Sequence, residues 1–249
     1  MTEWIGGRRP VAEALAAGRV ARRLLIARGL RPSPELKAIR AAAARASARE
    51  EVIDRDELGR LAGFDGHQGL LLEVEPRRWS DPMEILAASA AAHRPPFILV
   101  LEQLQDPVNL GAVLRTAEAA GVDGVIFPDR GSAPLSAAAV KSSAGASEHL
   151  RLAPVGSLGA TLAELQARGL RLVAADQDAP ALAWDTDLGG PLAVVVGGEG
   201  AGLTGATRRR CDVLVRFPMA GQVASLNAAA AGALLLFEVV RQRGLESAT

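Results

Sequence analysis

The chain has no tyrosine, one cysteine and 3% aromatic residues in 249 positions. A lone thiol, Cys211, excludes an internal disulfide framework, fits a reducing compartment and reads as an inert buried side chain. Trp4, Trp79 and Trp184 are too scattered to form a base-stacking platform, so a bound nucleic acid would have to be held by phosphate and shape. His93 and His149 have no metal-ligand spacing with Cys211, and no metal site is expected. Long uncharged apolar runs are missing too. The opening MTEWIGGRRPVAEAL is broken by Gly6, Gly7, Arg8, Arg9 and Pro10, so it lacks the apolar core of a signal peptide, and no run reaches membrane-spanning length. A soluble cytoplasmic protein without a membrane partner is expected.

Lysine is scarce as well, with 2 against 26 arginines, and the formal net charge is +0. Its distribution is uneven. Residues 1–49 carry eleven Arg and Lys against three acids, a local balance of +8, which leaves −8 for residues 50–249. Such clustering is the footprint of a polyanion-binding module joined to a less basic body, with Arg8, Arg9, Arg22 and Arg23 as its candidate RNA contacts.

With 49% hydrophobic residues the length accommodates one large domain or two moderate ones. The stretch EPRRWSDPMEILAASAAAHRPP, residues 75–96, places Pro76, Pro82, Pro95 and Pro96 around a short alanine-rich segment and reads as a linker with one or two helical turns. Residues 1–75 are thus expected to form a small α/β domain, with strands at RRLLIARG and HQGLLLEVE and a helix opened by Ser33 and Pro34. Beyond the linker, residues 97–249 alternate apolar runs (FILVLEQL, GVIFPD, RLVAAD, LAVVVGG, VLVRFP) with helical segments. That pattern predicts a mostly parallel sheet covered on both faces.

Three motifs carry candidate chemistry. GAGLTG, Gly200–Gly205, has the spacing of a dinucleotide-binding turn, but it comes late in the chain and the next strand is followed by no acid, which argues against a nicotinamide cofactor. What remains is a glycine-rich turn that lets backbone approach a ligand, with Glu199 as its one charged group. In DPVNLGAVLRTAEAAG, Asn109 is placed as a helix opener, and Arg115 stands on a helix of small residues as a candidate phosphate or carboxylate ligand. In FPMAGQVASLNAAAAGALLLFE, Ser225 is placed as an N-cap with Asn227 in the first turn, so that a polar ligand edge precedes a closely packed helix.

In this order and spacing, DPVNLGAVLRTAEAAGVDGVIFP, VVVGGEGAGLT and FPMAGQVASLNAAAAGALLLFE resemble the three motifs of the SpoU (TrmH) branch of the SPOUT RNA methyltransferases. VKSSAGASEHL is similar to the family segment between the first two motifs, and GRRPVAEAL and HQGLLLEV are similar to the leading domain of the bacterial ribosomal-RNA subgroup. The resemblance implies an L30e-like RNA-binding domain followed by an α/β SPOUT domain with a deep trefoil knot, an obligate homodimer, and S-adenosylmethionine as cofactor. It also implies a catalytic group of Asn109, Arg115, Glu199, Ser225 and Asn227. The implied cofactor site takes Gly198, Gly200, Leu203, Met219, Ser225 and Leu226, with Ala174 and Phe217 on its flanking strands. Family members often carry a β-branched residue and a serine after the position of Asn227, where this chain has Ala228, Ala229 and Ala230.

The implied reaction is methyl transfer to a ribose 2′-hydroxyl, with a guanosine of large-subunit (23S) ribosomal RNA as the favoured target. Arg115, normally protonated, is either a phosphate clamp, reaching in from its own or the partner subunit, or a locally deprotonated base. Transfer RNA is the nearest competing substrate, and an antibiotic-resistance methylase shares the two-domain plan. From another class, a non-catalytic ribosome-assembly factor would use the same RNA-binding surface without the cofactor.

Overall fold

The computed structural model describes residues 2–64, 66–200, 202–222 and 225–244. Two sheets organise them. The first comprises β1 (Glu3–Gly6), β2 (Ala21–Ala27), β3 (Arg49–Ile53) and β4 (Leu70–Val74) in the order β1-β4-β2-β3. Only β2 and β3 run parallel. Because strand side chains alternate between faces, Leu24 and Ile26 of β2 pack under α1 (Arg8–Ala16) and α2 (Pro34–Arg45). Leu25 and Ala27 pack instead with Leu58 of α3 (Arg55–Ala62). Helix α2 starts as the sequence predicts, with Ser33 Oγ accepting from Leu36 N and Pro34 at the first position.

These strands change the reading of the charge. Acids of β3, β4 and the turn after β3 sit beside the arginines. Arg23 meets Glu73 at 2.5 Å and Glu51 at 3.5 Å, Arg40 meets Glu50 at 2.6 Å, and Arg28 meets Asp54 at 3.0 Å. Over residues 1–75 the tally is 13 Arg and Lys against 11 Asp and Glu, a balance of +2. Stopping the count at residue 49 omits the neutralising strand, so bulk charge does not mark this layer as polyanion-binding; only local clusters can.

The proline-bracketed connector holds a ten-residue helix, α4 (Pro82–Ala91), longer than the one or two turns expected. Pro82 occupies the first helical position, where its missing N–H costs nothing, and Asp81 with Glu84 closes a capping box.

The second sheet comprises β5 (Phe97–Leu101), β6 (Gly124–Pro128), β7 (Leu152–Val155), β8 (Arg171–Ala175), β9 (Ala181–Leu182), β10 (Leu192–Val196) and β11 (Val213–Arg216). Its order is β7-β6-β5-β10-β8-β11-β9 and every pairing is parallel. Strand β10, late in the chain, therefore enters between β5 and β8. The helices are α5 (Pro107–Ala119), α6 (Ala137–Ser142), α7 (Leu158–Ala167), α8 (Gly205–Arg210) and α9 (Ala228–Arg243). Phe97, Leu99 and Leu101 of β5 face α5 and α9, whereas Ile98 and Val100 face α4 and α7. All five are buried, and each such side chain contributes about 1.5–3 kcal/mol of transfer free energy.

The two layers meet at a buried carboxylate. Glu148 accepts from Arg19, in the turn after α1, at 2.9 Å, and also pairs with Arg77 of the connector. Nearby, His149 Nε2 lies 2.9 Å from Glu13 of α1.

Candidate functional site

A cleft of about 590 Å³ opens where β8, β10 and β11 end. Carboxyl ends of parallel strands are where open α/β sheets bind ligands. Its walls include Gly197–Gly200, Gly202 and Leu203 of the glycine loop, Arg216, Phe217 and Met219, and Ser225–Ala228 at the entry of α9. The glycine loop closes on itself, Gly198 N–H donating to Gly202 O at 3.1 Å and Gly202 N–H to Gly198 O at 3.2 Å. Here the glycines serve close approach: a Cβ on Gly198 would stand 2.5 Å from Gln103 O, and Gly200 turns at φ +80°. Buried Glu102, just past β5, fixes the far end of the loop by accepting from Thr204 N at 2.9 Å, Thr204 Oγ1 at 2.8 Å and Thr207 Oγ1 at 2.6 Å. The sequence reading missed Glu102; its one signal is an acid directly after a wholly apolar strand.

Three motif residues form a continuous hydrogen-bond chain. Glu199 accepts from the backbone N–H groups of Gln105 (3.1 Å) and Asp106 (3.3 Å) and from Asn109 Nδ2 (2.9 Å). Partial burial pushes the Glu199 pKa up, but the hydrogen bond from Asn109 and those from backbone N–H groups outweigh it and hold the carboxyl below its ordinary value. Asn109 Oδ1 accepts from Asn227 Nδ2 at 3.1 Å. Asn227 Oδ1 in turn accepts from Ala229 N at 2.8 Å and Ala230 N at 3.3 Å.

Two placements differ from expectation. Asp106, not Asn109, caps α5, accepting from Val108 N at 2.9 Å, with Pro107 at the first helical position. This frees the Asn109 amide to bridge the other motifs. Asn227, not Ser225, caps α9, and Ser225 lies in the loop before it, on the cleft wall.

Of the residues expected at the cofactor, Gly198, Gly200, Leu203, Phe217, Met219, Ser225 and Leu226 line the cleft. Ala174 does not: it is fully buried within β8 and packs on the α7 side, and strand alternation turns its neighbour Ala175 toward the cleft instead. Trp184 braces Phe217, with ring centroids 5.2 Å apart. Burial, helped by Asp212, Glu102 and Asp176, pushes the Cys211 thiol up to about 12, so it stays protonated and unreactive.

Arg115 is not part of this group in the single chain. It is exposed on α5 and faces a second cleft, between the layers, together with Arg8, Arg9 and Lys141. Six residues along α5 turn it away from Asn109 by about a third of a revolution. Arg22 and Arg23 lie elsewhere, Arg22 with Glu75 at 3.4 Å and Arg23 with Glu73 and over the Trp4 ring at 5.6 Å. Among the described residues no group of three or more His, Cys, Asp or Glu is placed to hold a metal ion, and no helix is long and apolar enough to cross a membrane.

Known proteins match this architecture along almost its whole length. The family model described as the SpoU rRNA Methylase family matches residues 96–237, and one described as RNA 2′-O ribose methyltransferase substrate binding matches residues 4–80. A protein named as an uncharacterized tRNA/rRNA methyltransferase from Mycolicibacterium paratuberculosis is 39% identical over 242 residues, 97% of this chain and 78% of that one. The SpoU methyltransferase AviRb from Streptomyces viridochromogenes, solved in complex with the cofactor AdoMet, superposes with a TM-score of 0.81 at 28% identity, covering 97% of this chain and 90% of that one. An AdoMet-bound rRNA methyltransferase from Sinorhizobium meliloti gives 0.78 at 25% identity, covering 99% and 88%.

Proposed function

We propose, from the premise that this chain belongs to the SpoU rRNA methylase family, that it methylates a guanosine ribose 2′-hydroxyl in large-subunit ribosomal RNA. The chain is an RNA methyltransferase and its cofactor is S-adenosylmethionine. The observation that carries the reading is the chain Glu199–Asn109–Asn227, which ties all three motifs together at the edge of the cleft. A ribosomal target is favoured because the family model over residues 96–237 is described as an rRNA methylase, and the Sinorhizobium meliloti rRNA enzyme matches nearly the whole chain.

The cleft suits the cofactor. Its volume of about 590 Å³ lies in the range of small-molecule sites. Leu203, Phe217, Met219 and Leu226 offer apolar surface, while the loop at Gly198–Gly200 brings backbone polar groups to the wall. When bound, S-adenosylmethionine would supply an electrophilic sulfonium methyl to the ribose oxygen, with the thioether as leaving group and the hydroxyl proton passing to solvent water. The chain's own residues position the partners. Glu199 and Asn109 lock the glycine loop to the start of α5, and Asn227 and Ser225 shape the side where the ribose enters. Arg115, which faces the interlayer cleft of its own chain, acts as a phosphate clamp beside the target ribose held by the partner subunit.

The finer architecture follows the same reading: an L30e-like RNA-binding domain over residues 1–75, a connector at 76–96 and a knotted SPOUT domain over 97–249. The late entry of β10 between β5 and β8 supports the knot. Exposed Val108 (58%) on α5 and Leu234 (42%) and Phe237 (48%) on α9 support a homodimer, and sedimentation as a monomer at micromolar concentration would remove that support. A cytoplasmic location fits an RNA-modifying enzyme.

The test is transfer of labelled methyl from S-adenosylmethionine to purified large-subunit RNA, with transfer RNA in parallel and Arg115→Ala as a control. Ribose labelling of the ribosomal RNA, lost in the variant, is the expected result. Labelling of transfer RNA alone would overturn the substrate assignment. Failure of both RNAs and of purified subunits to accept methyl, with cofactor bound, would overturn the reaction.

A further inference from the structure

The second cleft, about 670 Å³, lies between the two layers and shares none of its lining with the cofactor cleft. Arg8 and Arg9 enter it from α1, Arg115 from α5 and Lys141 from α6, with Glu35 as the one acid on its wall among the described residues. Glu35 and Ser33 account for Arg8, whose guanidinium lies 3.4 Å from the Glu35 carboxylate and 3.1 Å from Ser33 Oγ. Arg9, Arg115 and Lys141 form no ion pair among the described residues, although most arginines around them do. Lys141, one of only two lysines in the chain, lies against Gly66, where a Cβ would collide with its ammonium group.

The backbone adds to this. The first turn of α1 lines the cleft, and its N-cap Gly7 offers no side-chain cap. Gln68 Oε1 accepts from Arg8 N at 3.0 Å and Pro10 has no N–H, so the Arg9 N–H, which has no acceptor among the described residues, is left for a ligand at the positive end of the helix. The like charges of Arg9, Arg115 and Lys141, unpaired among the described residues, repel one another, and an anion in the cleft relieves the repulsion.

We propose that this interlayer cleft is a phosphate-binding site for the RNA backbone, with Arg9 and Lys141 as ligands from opposite layers. The site rests on RNA being the substrate. It grips the strand away from the methyl-transfer cleft, and because one ligand comes from each layer it sets the orientation of the RNA relative to the cofactor. Phosphate contacts of this kind fix register without reading sequence.

The variants are Arg9→Ala, Lys141→Ala, their combination and Lys141→Arg, with Arg45→Ala, exposed in the last turn of α2 and outside the cleft, as a control. Equilibrium binding to a large-subunit RNA transcript and to transfer RNA is measured across a salt series without turnover, followed by kcat and KM for methyl transfer and by cofactor affinity. Each alanine is expected to weaken RNA binding about ten-fold and to lower the salt slope by about 0.7–0.9. RNA KM should rise in step, with kcat within two-fold, cofactor affinity unchanged, and Lys141→Arg and Arg45→Ala close to wild type. A double variant with wild-type affinity and salt slope would overturn the site. If the wild-type chain binds RNA but transfers no methyl, the reaction fails while the salt series still decides the cleft. If the wild-type chain binds neither RNA, the cleft proposal falls with it.

Discussion

Asn109 uses both ends of its amide on other motifs, donating to Glu199 and accepting from Asn227. Its orientation is thereby fixed, since a flipped amide would set oxygen against carboxylate. The anchor of this arrangement is the charge on Glu199. A folded-state pKa below the ordinary glutamate value means that the carboxylate stabilises the fold in full above about pH 4.3, and that this contribution fades as pH falls through the lowered value. Glu199→Gln should therefore lower Tm at neutral pH, and the gap to wild type should close in acid. Because the site is solvent-exposed, screening limits the effect to about 1 kcal/mol or roughly 3 °C. Thermal melts of both proteins from pH 3 to 7 check this; a gap of constant size across that range would show that the charge is not the anchor.

Strands and helix starts divide cleanly by their physics. Every interior strand, β2 and β4 in the first sheet and β5, β6, β8, β10 and β11 in the second, is legible as an apolar run, because both faces of a central strand are covered. The four edge strands, β1, β3, β7 and β9, escape that reading. Strand β3 is REEVI, and charge is what an exposed edge tolerates; β7 contains Pro154, which only an edge or a bulge accepts. At the site, the glycine loop and the polar entry to α9 are legible, but the capping roles are not. Asp106, Asn109, Ser225 and Asn227 are all competent caps, and only tertiary partners decide among them. That decision separates two roles of Asn227. Asn227→Ala should cost about 1 kcal/mol, or 2–4 °C, by loss of the cap. Asn227→Asp keeps the cap and near wild-type Tm, yet sets a carboxylate against Asn109 Oδ1, and methyl transfer should fall at least about ten-fold. Melting curves with RNA methylation rates on the two variants distinguish cap from link, and a fully active Asn227→Asp would dismiss the link.

At the scale of the whole molecule, the near-neutral N-terminal layer leaves RNA affinity to a local cluster whose geometry depends on how the two layers sit together. Glu148 is the joint. Its side chain is 0% exposed, and its partners Arg19 and Arg77 are 14% and 9% exposed. Arg19 also reaches Glu3 at 2.7 Å and Glu75 O at 2.6 Å, so one carboxylate joins the first layer, the connector and the second sheet. Removing one member of a buried ion network leaves the others uncompensated, at a cost of about 3–5 kcal/mol. Glu148→Ala should thus lower Tm by on the order of 10 °C. At a temperature where the variant remains folded, RNA KM should rise because Arg9 and Lys141 no longer face each other at fixed spacing. Cofactor affinity should hold, since the cleft of Glu199 and Phe217 is lined wholly by the second sheet, its loops and α9. Melting, cofactor titration and RNA KM on the one variant read these effects separately. A parallel loss of cofactor and RNA binding would mean that Glu148 supports the second sheet itself rather than the joint.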